Sequence, residues 1–290
     1  MFRRVVKSLI PRRLFRRVEP YGHLAETVLA NMCYGFPARG LKVIGVTGTD
    51  GKTTTTTLIW TMLKEAGLNA GYMTTIGYGV PAWQRHNRVH MTSMQAFPLM
   101  KRIKEMRAAG IEWLVLETTS HALAQNRVWG VPFSVAVMTN VNHEHLDYHE
   151  TFERYRDAKR RMFKLAARNQ TGLQIGIINA EDPSAPEFAA DVPNPVLYGV
   201  KAGTIKAYDL TATPAGSRYS VRSGKDVLHI KLNLPGRFNV YNSLAAVAAG
   251  MAVGLTGKQI ERGIAALKVV EGRMTKVDEG QNFHVIVDFA

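Results

Sequence analysis

The stretch LKVIGVTGTDGKTTTTTLIW, at residues 41–60, decides the fold. Residues 41–46 are mostly apolar and predict a buried strand, and residues 53–67 predict a helix that ends at Gly67. Between the two, glycines at positions 45, 48 and 51 precede Lys52 and Thr53. Backbone N–H groups in such a loop bind phosphate oxygens, and the start of the following helix adds positive potential.

The residues that end this loop have a chemistry of their own. Lys52 would neutralise the β- and γ-phosphates of a nucleotide, and the Thr53 hydroxyl would bind Mg²⁺. The strict loop pattern has a glycine at position 46, where this chain has Val46. A glycine-rich turn without a ligand is therefore the alternative, but the strand before the loop and the helix after it favour a phosphate site.

Further along the chain, apolar segments alternate with helical ones. Strands are predicted at 71–80, 113–118, 133–140 and 174–182, and helices at 93–110 (with a candidate break at Pro98) and 151–167. This order predicts an α/β fold with a mostly parallel sheet flanked by helices. The later elements are a small β-rich antiparallel sub-domain at 196–234, helices at 241–253 and 257–268, a turn at 277–280 and a strand at 283–290.

The composition excludes several classes of protein. The chain has 290 residues, 46% of them hydrophobic and 21% charged, so collagen-like and disordered chains are excluded. A single cysteine excludes an internal disulfide framework and any multi-cysteine zinc or iron–sulfur site. It also fits a reducing compartment such as the cytoplasm. No apolar run reaches 18 residues, so no conventional membrane span is predicted.

The positive charge is concentrated at the N-terminus. The net charge is +14, and residues 1–17 carry seven cations and no acid, whereas the rest is only mildly basic and does not predict a nucleic-acid-binding protein. Three interpretations of this segment remain open: an amphipathic segment on an anionic membrane surface, a solvated tail, or an organellar transit peptide. Pro11 argues against one unbroken helix, and a short helix is predicted from His23 to Tyr34.

Acidic and histidine residues follow two of the predicted strands. Glu117 ends one strand, at the edge of a parallel sheet where ligands bind, and is either a Mg²⁺ ligand or a solvated carboxylate. Residues 143–149 hold three histidines and two acids, which fit a zinc site or a Mg²⁺ and phosphate site with one histidine ligand. Lys159 lies among arginines on the helix at 151–167, and charge alone predicts that it is solvated.

Nine segments, in this order, carry a family resemblance. They are GVTGTDGKT (45–53), ETTSHAL (117–123), QNRV (125–128), TNVNHEHLDYH (139–149), YRDAK (155–159), INAED (178–182), LPGRFNVYN (234–242), EGRM (271–274) and VDFA (287–290). Together they resemble the Mur ligase family, most closely its UDP-N-acetylmuramyl-tripeptide synthetase (MurE) type. The resemblance implies the central, ATP-binding domain of that family.

The resemblance implies roles for individual residues. The implied catalytic set is Lys52, Glu117, His145 and Lys159, and the implied ligands of two Mg²⁺ ions are Thr53, Glu117, His145 and Lys159, the lysine after CO₂ has converted it to a carbamate. The implied nucleotide-binding set is Gly48, Thr49, Asp50, Gly51, Lys52, Thr53, Thr54, Asn242, Arg273 and Asp288. The implied contacts to a muramyl substrate are Thr92, Ser93, Thr119, Gln125 and Arg127.

The activity that the resemblance implies is ATP-dependent amide-bond formation in peptidoglycan precursor synthesis. ATP phosphorylates a carboxylate of a UDP-muramyl or related muramyl peptide, and an amino acid attacks the acyl phosphate. The expected protein is a cytoplasmic monomer that binds no nucleic acid and contacts the inner membrane surface through residues 1–17. Another Mur-like ligase of the cyanophycin-synthetase or folylpolyglutamate-synthetase type, or a non-catalytic ATP-binding module, remains the alternative.

The chain departs from the family pattern in four places. Asp50 stands where the family usually has Asn, and Glu144 stands where Asp is common. A basic amphipathic segment, residues 1–40, takes the place of an N-terminal UDP-binding domain. The central domain is expected at 41–273, and residues 274–290 are expected to be the first strand of a C-terminal ligase domain. The chain is therefore predicted to be a fragment that is not fully active by itself.

Overall fold

The computed structural model describes residues 12–87, 94–224, 226–273, 275–277, 280–283 and 285–288. The strands in this part of the chain are β1 (Lys42–Thr47), β2 (Ala70–Met73), β3 (Gly77–Val80), β4 (Trp83–His86), β5 (Trp113–Glu117), β6 (Phe133–Met138), β7 (Ile175–Asn179), β8 (Asn194–Gly199), β9 (Ile205–Thr213), β10 (Gly216–Ser223), β11 (Asp226–Leu232), β12 (Thr275–Val277) and β13 (Val285–Val287). The helices are α1 (Arg12–Tyr34), α2 (Lys52–Glu65), α3 (Ala96–Ala108), α4 (Ser120–Ala124), α5 (Leu146–His149), α6 (Phe152–Arg168), α7 (Ala185–Ala189), α8 (Arg237–Ala252) and α9 (Gly257–Ala266).

One large sheet carries the fold, with the strand order β11-β10-β9-β8-β7-β6-β1-β5-β2-β3-β4. The strands from β2 through β5, β1, β6, β7 and β8 to β9 pair in parallel, and the two edges of the sheet are antiparallel. β1 lies between β5 and β6, with Val46 opposite Glu117 and Thr47 opposite Met138. The loops after these three strands therefore meet at one edge of the sheet, which is where open α/β sheets bind ligands.

Two hydrophobic cores cover the two faces of this sheet. Helices α2, α8 and α9 cover one face, and α1, α3, α4, α6 and α7 cover the other. Alternate residues of β1 serve the two cores, since Ile44 packs in the first and Val43 in the second. Burial on both faces explains why the central strands are almost continuously apolar, and the predicted α/β class is confirmed.

The β-rich segment at 196–234 continues the main sheet. β8 pairs in parallel with β7, β9 with β8, and the antiparallel strands β10 and β11 complete that edge. β12 and β13 form a separate two-stranded antiparallel ribbon. Among the described helices, none combines the length and the apolar character needed to cross a bilayer.

Three predicted elements differ from the structure. The single strand predicted at 71–80 is two antiparallel strands, β2 and β3, because Thr74 closes a turn by exchanging hydrogen bonds with Gly77. The helix predicted from His23 begins at Arg12 and passes through Pro20, whose carbonyl accepts a hydrogen bond from Asn126 Nδ2. Pro98 does not break α3, because it lies in the first turn, where its missing N–H has no partner to lose.

Candidate active site

The phosphate loop lies between β1 and α2 and lines a cleft of about 380 Å³. Gly48 has φ +154° and Gly51 has φ +78°, conformations that favour glycine. The cleft brings together predicted residues from seven parts of the chain: Gly48, Thr49, Asp50, Gly51, Lys52, Thr53, Thr54, Glu117, Thr119, His145, Lys159, Asn242, Arg273 and Asp288. Lys52 Nζ donates a 2.6 Å hydrogen bond to the carbonyl oxygen of Thr49.

The loop after β6 holds the phosphate loop in place. Asn140 accepts two hydrogen bonds of 2.8 Å, one from the Thr49 N–H to its backbone carbonyl and one from the Asp50 N–H to its side-chain oxygen. Thr139 Oγ1 donates to the Asp50 carbonyl at 2.6 Å. The Asp50 carboxylate is exposed and accepts from Asn142 Nδ2 at 3.4 Å, so its charge lies at the mouth of the cleft.

A carboxylate and a hydroxyl converge at the end of β5. Glu117 Oε2 accepts from Thr53 Oγ1 at 2.9 Å and from the Thr75 N–H at 3.1 Å. Arg273 Nη2 donates to Thr53 Oγ1 at 3.4 Å. Oxygen ligands of this kind, with open space in front of them for water and phosphate oxygens, fit Mg²⁺, which is usually held by one or two protein groups. Thr53 and Glu117 are therefore the described pair that would hold the ion.

The three histidines that follow β6 lie in different environments. His145 has φ +54°, with Nε2 3.7 Å from Glu144 Oε2 and its ring centroid 4.9 Å from that of His121. His149 Nε2 lies 3.0 Å from Ser120 Oγ, and burial, reinforced by nearby His121, lowers the pKa of His149 to about 4. His143 stacks on Phe152 instead. Within the described ranges no group of three His, Cys, Asp or Glu side chains could hold a metal ion, so the zinc alternative gains no support.

Lys159 is buried, and the solvated position predicted from charge alone is wrong. Its side chain is 1% exposed, and Nζ donates to the carbonyl oxygen of Gly48 and lies 4.3 Å from the ring centroid of Tyr155. Burial, followed by the nearby positive charge of Lys52, holds the pKa of Lys159 well below its usual range. A lowered pKa favours the neutral amine, which is the nucleophilic form of a lysine, directly behind the phosphate loop.

Asn242 fills the space behind the phosphate loop on the side of α8. Its Oδ1 accepts from Thr55 Oγ1 at 3.4 Å, and its Nδ2 donates to Asn239 Oδ1 at 3.0 Å. A Cβ at Gly51 would collide with Asn242 Oδ1, which is a second reason for glycine at that position. Asp288, from the residues that follow β13, also lines the cleft.

A second, larger cavity of about 850 Å³ adjoins the nucleotide cleft. The two share Thr75, Glu117 and Thr119, and Arg102 lines the larger one, with Nη1 donating to Asn87 Oδ1 at 2.7 Å. The further lining residues are Met73, Thr74, Tyr78, Arg85, His86, Asn87, Met94, Gln95, Pro98, Leu99, Leu116, Ala122 and Val128.

The predicted muramyl contacts are only partly placed by the structure. Thr119 lies on the wall between the two cavities. Gln125 and Arg127 are not among the described residues that line either cavity, and Gln125 is buried. Thr92 and Ser93 lie outside the described residues.

The residues of the cleft that were not predicted from the sequence include Thr75 and Tyr155. Thr75 reaches Glu117 only because a turn separates β2 from β3, and the local pattern contains no signal for that turn. Tyr155 OH lies 3.0 Å from Thr49 Oγ1 and donates to Glu144 Oε2 at 3.3 Å. Its position four residues before Lys159, on the same face of α6, is a signal that could have identified it.

The sheet order, the phosphate loop and the adjoining cavities define an α/β nucleotide-binding fold with a second pocket beside the phosphate site. The family model of the Mur ligase middle domain matches residues 46–250, and the chain therefore belongs to the Mur ligase family.

Curated relatives agree with this assignment. A UDP-N-acetylmuramoyl-L-alanyl-D-glutamate–2,6-diaminopimelate ligase from Geobacillus thermodenitrificans is 38% identical over 277 residues, which cover 94% of this chain and 56% of the relative. A UDP-N-acetylmuramyl-tripeptide synthetase from Deinococcus radiodurans is 38% identical over 260 residues, covering 88% of this chain and 52% of the relative. The chain thus spans about half the length of the curated relatives it matches.

Solved structures share the fold. The structure of a UDP-N-acetylmuramoyl-L-alanyl-D-glutamate–2,6-diaminopimelate ligase superposes with a TM-score of 0.75 and 26% identity, covering 90% of this chain and 53% of the other. A Mycobacterium tuberculosis folylpolyglutamate synthase complexed with ADP and AMPPCP has a TM-score of 0.73 at 16% identity, covering 92% of this chain and 67% of the other. At that identity the second likeness concerns the fold alone.

Proposed function

We propose that this chain carries the ATP site and the pocket for the carboxylate substrate of a ligase that joins an amino acid to a UDP-muramyl or related muramyl peptide in peptidoglycan precursor synthesis. The observation that carries the proposal is the shared wall of the two cavities, formed by Thr75, Glu117 and Thr119. A carboxylate bound in the larger cavity would lie next to the terminal phosphate of ATP bound in the cleft. The similarity to MurE-type relatives supports this substrate class.

The residues of the cleft suit phosphoryl transfer to that carboxylate. A carboxylate becomes a good electrophile when ATP converts it to an acyl phosphate, which an amine then attacks with loss of phosphate. Such transfer depends mainly on positioning and on neutralising charge. Lys52 and Arg273 would bind the phosphate oxygens, while Thr53, Glu117 and His145 would hold Mg²⁺. When bound, Mg²⁺ supplies further neutralisation of the transferred group.

We infer that Lys159 reacts with CO₂ to form an anionic carbamate that helps to hold a second Mg²⁺ ion. In this reaction the amine nitrogen bonds to carbon and releases one proton. The support is the burial of Lys159 beside Gly48 and the match of YRDAK to the family segment. Lys159→Ala should lose Mg²⁺-dependent phosphate release and regain part of it with short-chain carboxylates. Lys164→Ala, on the exposed side of the same helix, is the matched control, and full activity of Lys159→Ala would contradict the carbamate.

Phosphate release from ATP tests the ligase proposal. We expect release to depend on UDP-N-acetylmuramoyl-L-alanyl-D-glutamate together with an amino acid. It should be abolished in Lys52→Ala but kept in Lys258→Ala, which removes an exposed cation at the start of α9. ATP binding that no muramyl acceptor converts into phosphate release would favour the non-catalytic module. Stimulation by a folate or cyanophycin acceptor instead would favour the other Mur-like ligases.

Two finer points complete the proposal. The protein works as a monomer in the cytoplasm, and residues 1–17 contact the inner membrane surface. The support for membrane contact is the seven cations without an acid in that segment. A membrane position would suit a lipid-linked as well as a UDP-linked muramyl substrate.

A further inference from the structure

Helix α1 carries an apolar stripe that none of the described residues covers. Val18, Tyr21, Leu29 and Met32 are each more than half exposed. Their spacing of three, eight and three residues places them on one side of the helix. The opposite side packs against α3 and contributes Ala30 to the core. A row of large exposed apolar side chains on a well-packed helix marks an interaction surface.

A basic groove of about 210 Å³ runs beside this helix. Asn126, which lines it, donates from Nδ2 to the Pro20 carbonyl at 3.2 Å, and Asn31 Nδ2 of α1 donates to the carbonyl of Trp129, also in the lining, at 3.1 Å. The full lining is Leu123, Asn126, Val128, Trp129, Arg161, Lys164, Leu165 and Arg168. These described lining residues include three cations and no acid.

Among the described ion pairs, the one formed with Asp191 neutralises the groove only in part. Lys164 Nζ lies 3.8 Å from Asp191 Oδ1, but Asp191 already accepts hydrogen bonds of 2.8 and 3.1 Å from Arg160. Arg168 is exposed at the end of α6. Arg161 is held in the wall by hydrogen bonds to Ala124 O and Asn126 Oδ1, which leaves the exposed side chains of Lys164 and Arg168 at the rim.

The acids of α1 lie on the other shoulder of the helix. Glu19 and Glu26 approach His23, at 3.9 and 3.3 Å. By helical periodicity both glutamates lie on the opposite shoulder from Asn31, which contacts the groove side. Helical periodicity places the apolar stripe between these acids and the Asn31 side, so the cations of the groove flank the stripe on one side only.

We propose that this surface, the α1 face, docks on a membrane rich in anionic phospholipids. Lys164 and Arg168 would contact headgroup phosphates, Trp129 would lie at the headgroup level, and the α1 stripe would enter the acyl boundary. Amphipathic helices with flanking cations bind anionic interfaces in this way, and aromatic side chains prefer the interfacial depth. The seven cations of residues 1–17 directly precede the stripe in sequence.

The same observations argue against a second copy as the partner. A symmetric dimer with antiparallel α1 helices would bring Lys164 and Arg168 of both copies toward each other, and like charges oppose such contact. The proposal extends the membrane contact described above from the terminal segment to a folded surface. It does not depend on ligase activity, so its test uses no substrate.

Vesicle binding tests the proposal. The 290-residue chain is sedimented with vesicles of phosphatidylcholine alone and of an equimolar mixture with phosphatidylglycerol. We expect binding only to the mixture, weakened by salt. Lys164→Gln with Arg168→Gln should lower the partition coefficient about thirtyfold, since each cation near an anionic surface contributes roughly fivefold. Lys231→Gln with Lys258→Gln, on β11 and α9, removes the same charge elsewhere and should leave binding within about twofold.

Trp129 gives a second readout that locates the contact. It is 41% exposed, whereas Trp60 and Trp113 are buried. Binding to mixed vesicles should shift the fluorescence to shorter wavelength, and Trp129→Phe should lose the shift while keeping most of the binding. Thermal unfolding confirms that the variants remain folded.

Three results would overturn the proposal. The first is equal vesicle binding by the variant with Lys164→Gln and Arg168→Gln and by its control with Lys231→Gln and Lys258→Gln. That result would assign the attraction to residues 1–17 alone. The second is vesicle binding without a Trp129 shift. The third is concentration-dependent dimerisation that the groove variants abolish, without vesicle binding, which would make the α1 face a contact between copies.

Discussion

Two glycines with nearly the same backbone conformation differ in how closely other atoms approach them, so their comparison distinguishes backbone strain from steric crowding. Gly51 has φ +78° and Gly67 has φ +82°. A Cβ at Gly67 would enter open space, whereas one at Gly51 would collide with Asn242, which Thr55 and Asn239 hold in place. Of these two glycines, Gly51 alone combines a left-handed conformation with the close approach of another side chain.

Alanine substitutions measure the two contributions. Gly67→Ala should lower the free energy of unfolding by about 1–2 kcal/mol, the cost of the left-handed conformation. Gly51→Ala should cost about 1–3 kcal/mol more, because crowding adds to strain. Urea denaturation compares them, and nucleotide binding should fall only in Gly51→Ala. Equal stability losses would show that Asn242 moves aside freely.

A substitution at Glu117 tests metal binding without disturbing the fold. In Glu117→Gln the remaining side-chain oxygen still accepts from Thr53 and the Thr75 N–H, so the fold should persist, but the negative charge is lost. Calorimetry should show Mg²⁺-dependent ATP binding weakened about tenfold or more, with metal-free binding unchanged. Glu112→Gln, at the other end of β5, should behave as the parent. Unchanged Mg²⁺ dependence in Glu117→Gln would remove this residue from the ligand set.

Lys159 shows why some site residues could not be assigned from charge. Four arginines surround it in sequence, so the segment reads as a solvated face. The apolar residues Tyr155, Met162 and Phe163 nevertheless recur at helical spacing, and Lys159 falls on their side of α6. Periodicity therefore contained the signal that the local charge obscured.

Elements with a complete local signal were predicted well. β1, α2, β5, β6 and α6 each carry an apolar run or a helical period bounded by a turn. The β2–β3 turn was missed, because Thr-Thr-Ile-Gly reads as β-branched strand sequence and the turn depends on Thr74 bonding to Gly77. The contact between Thr75 and Glu117 joins residues 42 positions apart, which no local pattern reveals.

The antiparallel edge of the sheet is attached to α8 through a buried hydroxyl pair. Tyr219 OH of β10 lies 2.7 Å from Ser243 Oγ, and both side chains are buried. Tyr219→Phe should lower the free energy of unfolding by about 1–2 kcal/mol, because Ser243 loses that partner in an apolar environment. Tyr208→Phe, a half-buried tyrosine on neighbouring β9, should cost less than about 0.5 kcal/mol. Equal costs in chemical denaturation would show that this hydrogen bond does not anchor the edge.

At the scale of the whole molecule, the cleft is assembled from loops that the parallel sheet alone brings together. The loops after β1, β5 and β6 supply the phosphate site, the carboxylate and the histidines, while α8 and the residues after it close the other side. The buried imidazole of His149 and the buried amine of Lys159 lie within this assembly. Because burial makes protonation of these groups unfavourable in the folded protein, the free energy of unfolding depends on pH.

His149 gives this dependence a defined window. Its folded pKa is about 4, below the ordinary value of 6.5, so between these values the unfolded chain binds a proton that the folded protein does not. The free energy of unfolding should therefore fall as the pH drops through this window, by about 2 kcal/mol, and reach its full value above pH 6.5. Urea denaturation without nucleotide or divalent ions isolates the effect. His149→Gln should flatten the profile, whereas His229→Gln, at an exposed position of β11, should retain the slope. An unchanged profile in His149→Gln would show that this imidazole accepts a proton equally well in the folded and the unfolded protein.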